Sequence, residues 1–170
     1  MSWEAIASIS SAIIALCAFV LTIWQLKVQR RHNMLSVQPY LTTWSHRDDK
    51  GLLKVDVLNN GIGPALIKTF KIFVDSHAIN GQDMEITRKA VKLLFANYPH
   101  AVPYASFLSN GYMMSAKETR CLASVEFCGP NFPTSEEIDH AGKRIRIYIE
   151  YESIYHEKLV YDSSKFEVLN

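Results

Sequence analysis

The strongest constraint on the fold is an uncharged run of 22 residues, Ala5 to Leu26 (AIASISSAIIALCAFVLTIWQL), near the start of a 170-residue chain. As an α-helix rising 1.5 Å per residue it is about 33 Å long, enough to cross a hydrocarbon core of about 30 Å. The core helix of a small soluble domain seldom needs so many uncharged residues in a row. A cleaved secretory leader puts positive charge ahead of a shorter apolar stretch and ends in a small-residue cleavage site. Here Glu4 is the only charged side chain in front, and Lys27, Arg30 and Arg31 follow. The expectation is a retained single span, N-terminus outside, with the basic collar and everything after it in the cytoplasm. Trp3 and Trp24 fall where indoles sit at the headgroup level. Residues 1–36 then form the span and a helical extension, and residues 37–170 one domain of ordinary size.

The charge distribution narrows what that domain binds. Of 18 Lys and Arg and 17 Asp and Glu, three bases and one acid lie up to Arg31, leaving 15 against 16, a net charge of −1. A nearly neutral domain argues against generic nucleic-acid binding, which relies on a broad basic surface, and permits a local pocket for a small anion. Cys17 lies in the span, and Cys121 and Cys128 lie in a domain assigned to reducing cytosol, so free thiols are expected. The last two, seven residues apart on a strand, point to opposite faces. The six His show no HxxxH spacing, and neither a metal site nor a cofactor is expected.

Past the collar, Pro39 disfavours helix at the residue before it. PYLTTWS reads as a first strand, and LLKVDVLNN alternates Leu53, Val55 and Val57 with Lys54 and Asp56. NNGIGPA supplies turn chemistry, with Gly61 and Gly63 permitting positive φ. ALIKTFKIFVD is a strand with Leu66, Lys68, Phe70, Ile72 and Val74 on one parity. Asp83 to Asn97 has helical spacing at Ile86, Ala90, Leu93 and Leu94, stopped by Pro99. YASFL, GYMMSA and TRCLASVEF are short strand candidates. FCGPNFPTSEEIDHAG is a loop in which Thr134 or Ser135 caps a short helical turn. KRIRIYIEYES alternates Ile145, Ile147, Ile149 and Tyr151 with Arg144, Arg146, Tyr148 and Glu150, and YHEKLVYDS folds back on it as a hairpin. About seven strands with one inserted helix predict a mainly-β domain, an antiparallel β-sandwich of immunoglobulin-like type.

Steps of four and three from Glu4 through the span meet Glu4, Ser8, Ser11, Ala15, Ala18, Thr22, Gln25 and Gln29, all small or polar. A second track meets Ile6, Ile9, Ile13, Leu16, Val20 and Ile23, all large and apolar. Two readings fit this coiled-coil spacing. Small residues let helix backbones approach in a dry oligomeric seam. Alternatively, several copies turn the face toward a hydrated axis, with hydroxyls and a ring of Glu4 suited to cations.

No catalytic constellation is visible, and an enzyme is not expected. GIGPA lacks the GK[ST] ending of a phosphate loop, and no GxSxG elbow occurs. Asp48 and Asp49 read as a solvated hairpin tip beside Lys50 and Gly51, and Glu136 and Glu137 as the start of a short helix. Binding is the better expectation. Arg88 and Lys92 lie one turn apart beside Lys89, and Arg144 and Arg146 share one face of a strand. Such clusters hold phosphates, and Tyr98, Tyr104 or Tyr148 offers a ring for a base; ordinary solvated basic faces are the competing reading.

The layout of a short outer end, one span, a basic collar and a small β-rich domain, together with the phrase LNNGIGPALI, resembles single-span bacterial membrane effectors of antiphage defence. The Hailong effectors, partnered with a nucleotidyltransferase, are the nearest family, with the nucleotide-gated effectors of CRISPR and CBASS systems looser likenesses. The resemblance implies an inner-membrane homo-oligomer, tetramer-like, whose cytoplasmic domains sense an oligonucleotide or cyclic nucleotide and gate a lethal ion leak. The competing expectation is a non-conducting anchored adaptor whose sandwich binds a protein partner.

Overall fold

A computed structural model describes residues 2–48, 51–129 and 131–165. The chain divides into two compact units, Met1–Val37 and Gln38–Asn170. The first is a single helix, α1 (Trp3–Ser36), 34 residues long, none of them buried, with a most apolar stretch averaging 2.4 in hydropathy. It is long and apolar enough to span a membrane. It ends three residues before Pro39, in keeping with the restriction proline puts on the residue before it.

The second unit is mainly β. Its strands are β1 (Leu41–Arg47), β2 (Leu52–Asn59), β3 (Ala65–Val74), β4 (His77–Ala78), β5 (His100–Ala105), β6 (Met113–Met114), β7 (Thr119–Phe127), β8 (Ile145–Glu152) and β9 (Lys158–Asp162). All pairings are antiparallel. One sheet runs β1-β2-β7-β5; the other runs β4-β3-β8-β9, with β6 paired to the start of β3. Leu41, Val57 and Leu122 from the first sheet and Ile67, Phe70, Ile72, Ile149 and Tyr151 from the second pack into one core. Thr43 of β1 and Tyr161 of β9 share a 2.5 Å hydroxyl contact from one sheet to the other.

Two helices join the strands where one was expected. α2 (Met84–Leu94) lies between β4 and β5, and α3 (Ser135–Arg144) between β7 and β8. A second apolar cluster, with Leu53, Val91, Phe95, Ala123, Val125, Phe127 and Ala141, packs both helices on the first sheet. The buried face of α2 is Ile86, Thr87, Ala90 and Val91, while Leu93, expected inside, is 52% exposed. α3 occupies what read as a loop because few of its residues are apolar; its start is a full capping box. Thr134 Oγ1 accepts from Glu137 N, and Glu137 Oε2 accepts from Thr134 N at 2.8 Å.

Further corrections have local causes. On β3 a register shift between Ile67 and Thr69 swaps the inward parity. Ala65 and Ile67 are buried before it and Phe70, Ile72 and Val74 after it, so Leu66 and Lys68 do not belong to the inner face. β5 starts four residues before Tyr104 and tolerates Pro103 because it is an edge strand. Arg144 closes α3 instead of opening β8, so it does not share a strand face with Arg146. At the hairpin tip, Asp48 Oδ1 accepts from Leu52 N at 2.8 Å; Asp49 and Lys50 lie outside the described residues. Gly61 has no positive φ; it is needed for space. A Cβ there would stand 2.4 Å from the Gln38 carbonyl oxygen and 2.5 Å from Pro39 Cα and Tyr40 N.

The same turn is fastened by Asn59, 1% exposed. Its side-chain oxygen accepts from Tyr40 N and Gly61 N, both at 3.1 Å. Its Nδ2 donates to the carbonyls of Gly63 at 2.8 Å and Ser115 at 3.0 Å. Asn60 N adds a 2.7 Å bond to Tyr40 O. The phrase LNNGIGPALI is therefore a clasp on the segment by which the chain enters the domain.

Candidate functional site

The basic pair on α2 opens onto a groove. Thr87 holds the helix, donating to Ser106 O at 2.8 Å just past β5, and Val91 and Phe95 anchor the next turn. The opposite side of α2 carries Arg88 and Lys92 beside the β5 edge. With Tyr98, His100 and Val102 they line a shallow cavity of about 370 Å³. Arg88 Nη1 donates to Val102 O at 3.3 Å, which lays the guanidinium along the strand edge. His100 Nδ1 lies 2.7 Å from Tyr98 O; a carbonyl only accepts, so Nδ1 carries the proton and Nε2 is the ring's other polar atom. The His100 ring sits edge-on to Phe95 and Phe127, at 6.5 and 6.4 Å.

Tyr98 ties the groove to α3 by donating to Glu137 Oε1 at 2.5 Å. That bond holds the phenol above its ordinary range. It also holds the Glu137 carboxyl below its own, with help from Thr134 N. Both oxygens of this carboxylate are thus engaged by donors. Among the described residues, neither Arg88 nor Lys92 forms a salt bridge. Their neighbour Lys89 is engaged with Glu85 at 3.3 Å and Asn80 O at 3.2 Å.

The second basic pair has a different surround. Arg144 makes two bonds to Asp75, at 2.8 and 2.6 Å. Arg146 makes two to Asp162, at 2.9 and 2.6 Å, and lies over the rings of Phe73 and Tyr148. Asp162, 4% exposed, has its pKa lowered to about 2, chiefly by Arg146. Tyr148 donates to Glu150, which also accepts from Thr69. These are internally answered charges. Tyr104, exposed on β5, is not in the groove lining.

Sequence reasoning did not single out His100 and Val102. Their spacing of two is a strand signal, obscured by Pro99 and Pro103 on either side.

On α1, at 100° per residue, Glu4, Ser8, Ser11, Ala15, Ala18 and Thr22 fall within about 40° of one line. Ser8 Oγ donates to Glu4 O and Thr22 Oγ1 to Ala18 O, both at 2.8 Å, so two of the stripe's hydroxyls are satisfied within their own helix. The three cysteines are free thiols, and burial, followed by Asp56, raises the Cys121 pKa. Among the described residues no cluster of His, Cys, Asp and Glu could hold a metal. No family model matches the chain, and no curated protein matches its sequence significantly.

Proposed function

We propose that this chain is a single-pass membrane sensor, N-terminus outside and domain in the cytoplasm. Copies assemble through the small-residue face of α1 into a gated, ion-conducting pore. The β domain is its receptor for an anionic ligand of nucleotide class, made by a partner nucleotidyltransferase in bacterial antiphage defence. The observation that carries the reading is α1, an unbroken 34-residue helix with small and polar residues on one side and Ile, Leu and Val on the other. The strand order supports an immunoglobulin-like sandwich: β1-β2-β7-β5 against β3-β8-β9 follows the ABED and CFG sheets of a constant-type domain, with β4 as an added edge. The groove supports the receptor role, since its two cations have no salt-bridge partner among the described residues. Replacing Ser11 or Ala15 with Leu is expected to abolish ion flux from liposomes while insertion is unchanged. Unchanged flux in both variants removes the lining assignment.

A second reading is the non-conducting adaptor, favoured by the Ser8 and Thr22 hydroxyls, which turn back onto their own helix and suit a dry seam. It predicts no flux from wild-type liposomes and no growth arrest on overexpression.

A further inference from the structure

Resting on the reading of the domain as a receptor, we infer that the α2–β5 groove recognises a terminal phosphate, a phosphomonoester, on a soluble ligand, and discriminates against a phosphodiester. Charge is the first argument. Arg88 and Lys92 bring two positive charges to one cavity with no salt-bridge partner among the described residues. A monoester carries about −1.5 to −2 at pH 7, which these two cations match. A diester carries one negative charge and leaves the pair half answered.

Donor geometry is the second. Arg88 comes from α2, held against the β5 edge by Val102 O; Lys92 comes from the next turn of α2; His100 comes from β5 with its proton on Nδ1. A monoester offers three terminal oxygens to the two cations and, in its monoanionic form, a P–OH hydrogen to His100 Nε2, which accepts when Nδ1 holds the proton; a diester has two non-bridging oxygens and no such hydrogen. The fourth polar group, the Tyr98 hydroxyl, is held by Glu137, and the other Glu137 oxygen is held by Thr134, so the one nearby carboxylate is occupied. Val102 and the Tyr98 ring leave an apolar wall for whatever the phosphate is attached to.

Position is the third. In the ladder Leu41 pairs with Asn59 and Leu52 with Glu126, while His100 pairs with Phe127. The groove therefore lies at the opposite end of the strands from Tyr40, through which the chain reaches the span. The groove's lining comes entirely from residues 88–102 of the β domain.

The test is calorimetric titration of the full chain in detergent with three probes: phenyl phosphate, its diester methyl phenyl phosphate, and inorganic phosphate. Phenyl phosphate is expected to bind about tenfold tighter than the diester, the worth of one charge-assisted hydrogen bond. Arg88→Ala, Lys92→Ala and His100→Ala should each weaken phenyl phosphate by about tenfold, with Lys143→Ala as an unaffected control. Melting temperatures establish that each variant is folded. Equal affinity for monoester and diester, or monoester binding untouched by Lys92→Ala and Arg88→Ala, overturns the inference. The receptor reading fails separately: a groove that prefers the monoester in liposomes whose conductance ignores it keeps the site and removes the gating. A pore gated by ligand in the Arg88→Ala, Lys92→Ala double variant keeps the gating and removes the site.

Discussion

The two ends of the β domain are built on opposite terms. At the entry end, the Asn59 side chain is hydrogen-bonded through both its oxygen and its nitrogen, and Gly61 leaves no room for a methyl group. At the other end, Arg88 and Lys92 stand over an open groove without a carboxylate. The closed end holds the backbone at Tyr40 to the sheet by hydrogen bonds in both directions, and the open, charged end is free to acquire a partner. Between them run paired strands, β5 on β7 and β7 on β2, each pairing interrupted by one register shift, with β2 ending at Asn59.

The contrast breaks most visibly at the clasp. Gly61→Ala forces a Cβ against backbone atoms that have no rotamer to yield, and Asn59→Ala takes the side-chain acceptor from the buried Gly61 N and the part-buried Tyr40 N. Gly61→Ala is expected to cost about 3 kcal/mol and Asn59→Ala about 2 kcal/mol, read as a fall in melting temperature of the full chain in detergent. A loss below about 1 kcal/mol in both would show that the clasp is not stiff.

Next in size is the pair Arg146 and Asp162, a basic site already answered. Arg146→Ala leaves a buried carboxylate with only its Ser164 donors and should destabilise by about 2 kcal/mol at neutral pH. The sign of its pH dependence follows from Asp162. Its folded pKa, about 2, lies below the ordinary 3.8, so its contribution is complete above about pH 4 and is lost as pH falls toward 2. The gap in melting temperature between wild type and Arg146→Ala should therefore narrow across that window. A gap that widens on acidification would contradict the assignment.

These contrasts were only partly legible in the sequence. The alternation in LLKVDVLNN and KRIRIYIEYES announced β2 and β8, whereas TRCLASVEF read only as a short strand candidate, since β7 lies inside its sheet and buries Leu122 to Val125 in an unbroken run. The parity of β3 did not show, since a single register shift after Ile67 reverses it and no residue type marks the shift. α3 was legible only at its start, where a Thr134 or Ser135 cap with Glu136 and Glu137 read as a short helical turn, and its polar surface hid how far it runs. The turn NNGIGPA was legible as a turn but not as a clasp, because its partner segment, Gln38 to Tyr40, is twenty residues away. Most instructive are the two basic pairs, which look alike in sequence. Whether an arginine is spent depends on Asp75 and Asp162, 69 and 16 residues distant, and only the fold brings those together.

The smallest expected effect on stability is also the sharpest on function. Arg88 and Lys92 are exposed and form no salt bridge among the described residues, so removing either takes away one 3.3 Å bond to Val102 O at most. Arg88→Ala and Lys92→Ala should each shift stability by less than about 0.5 kcal/mol, the range of ordinary surface substitutions. The same variants are the ones expected to lose phosphomonoester binding. A site that costs nothing to the fold when emptied of charge, yet loses its ligand, is one whose charges are kept for a partner. If instead either variant lowered the melting temperature as much as Arg146→Ala, its charge would have an internal carboxylate after all, and the two ends of the domain would no longer differ.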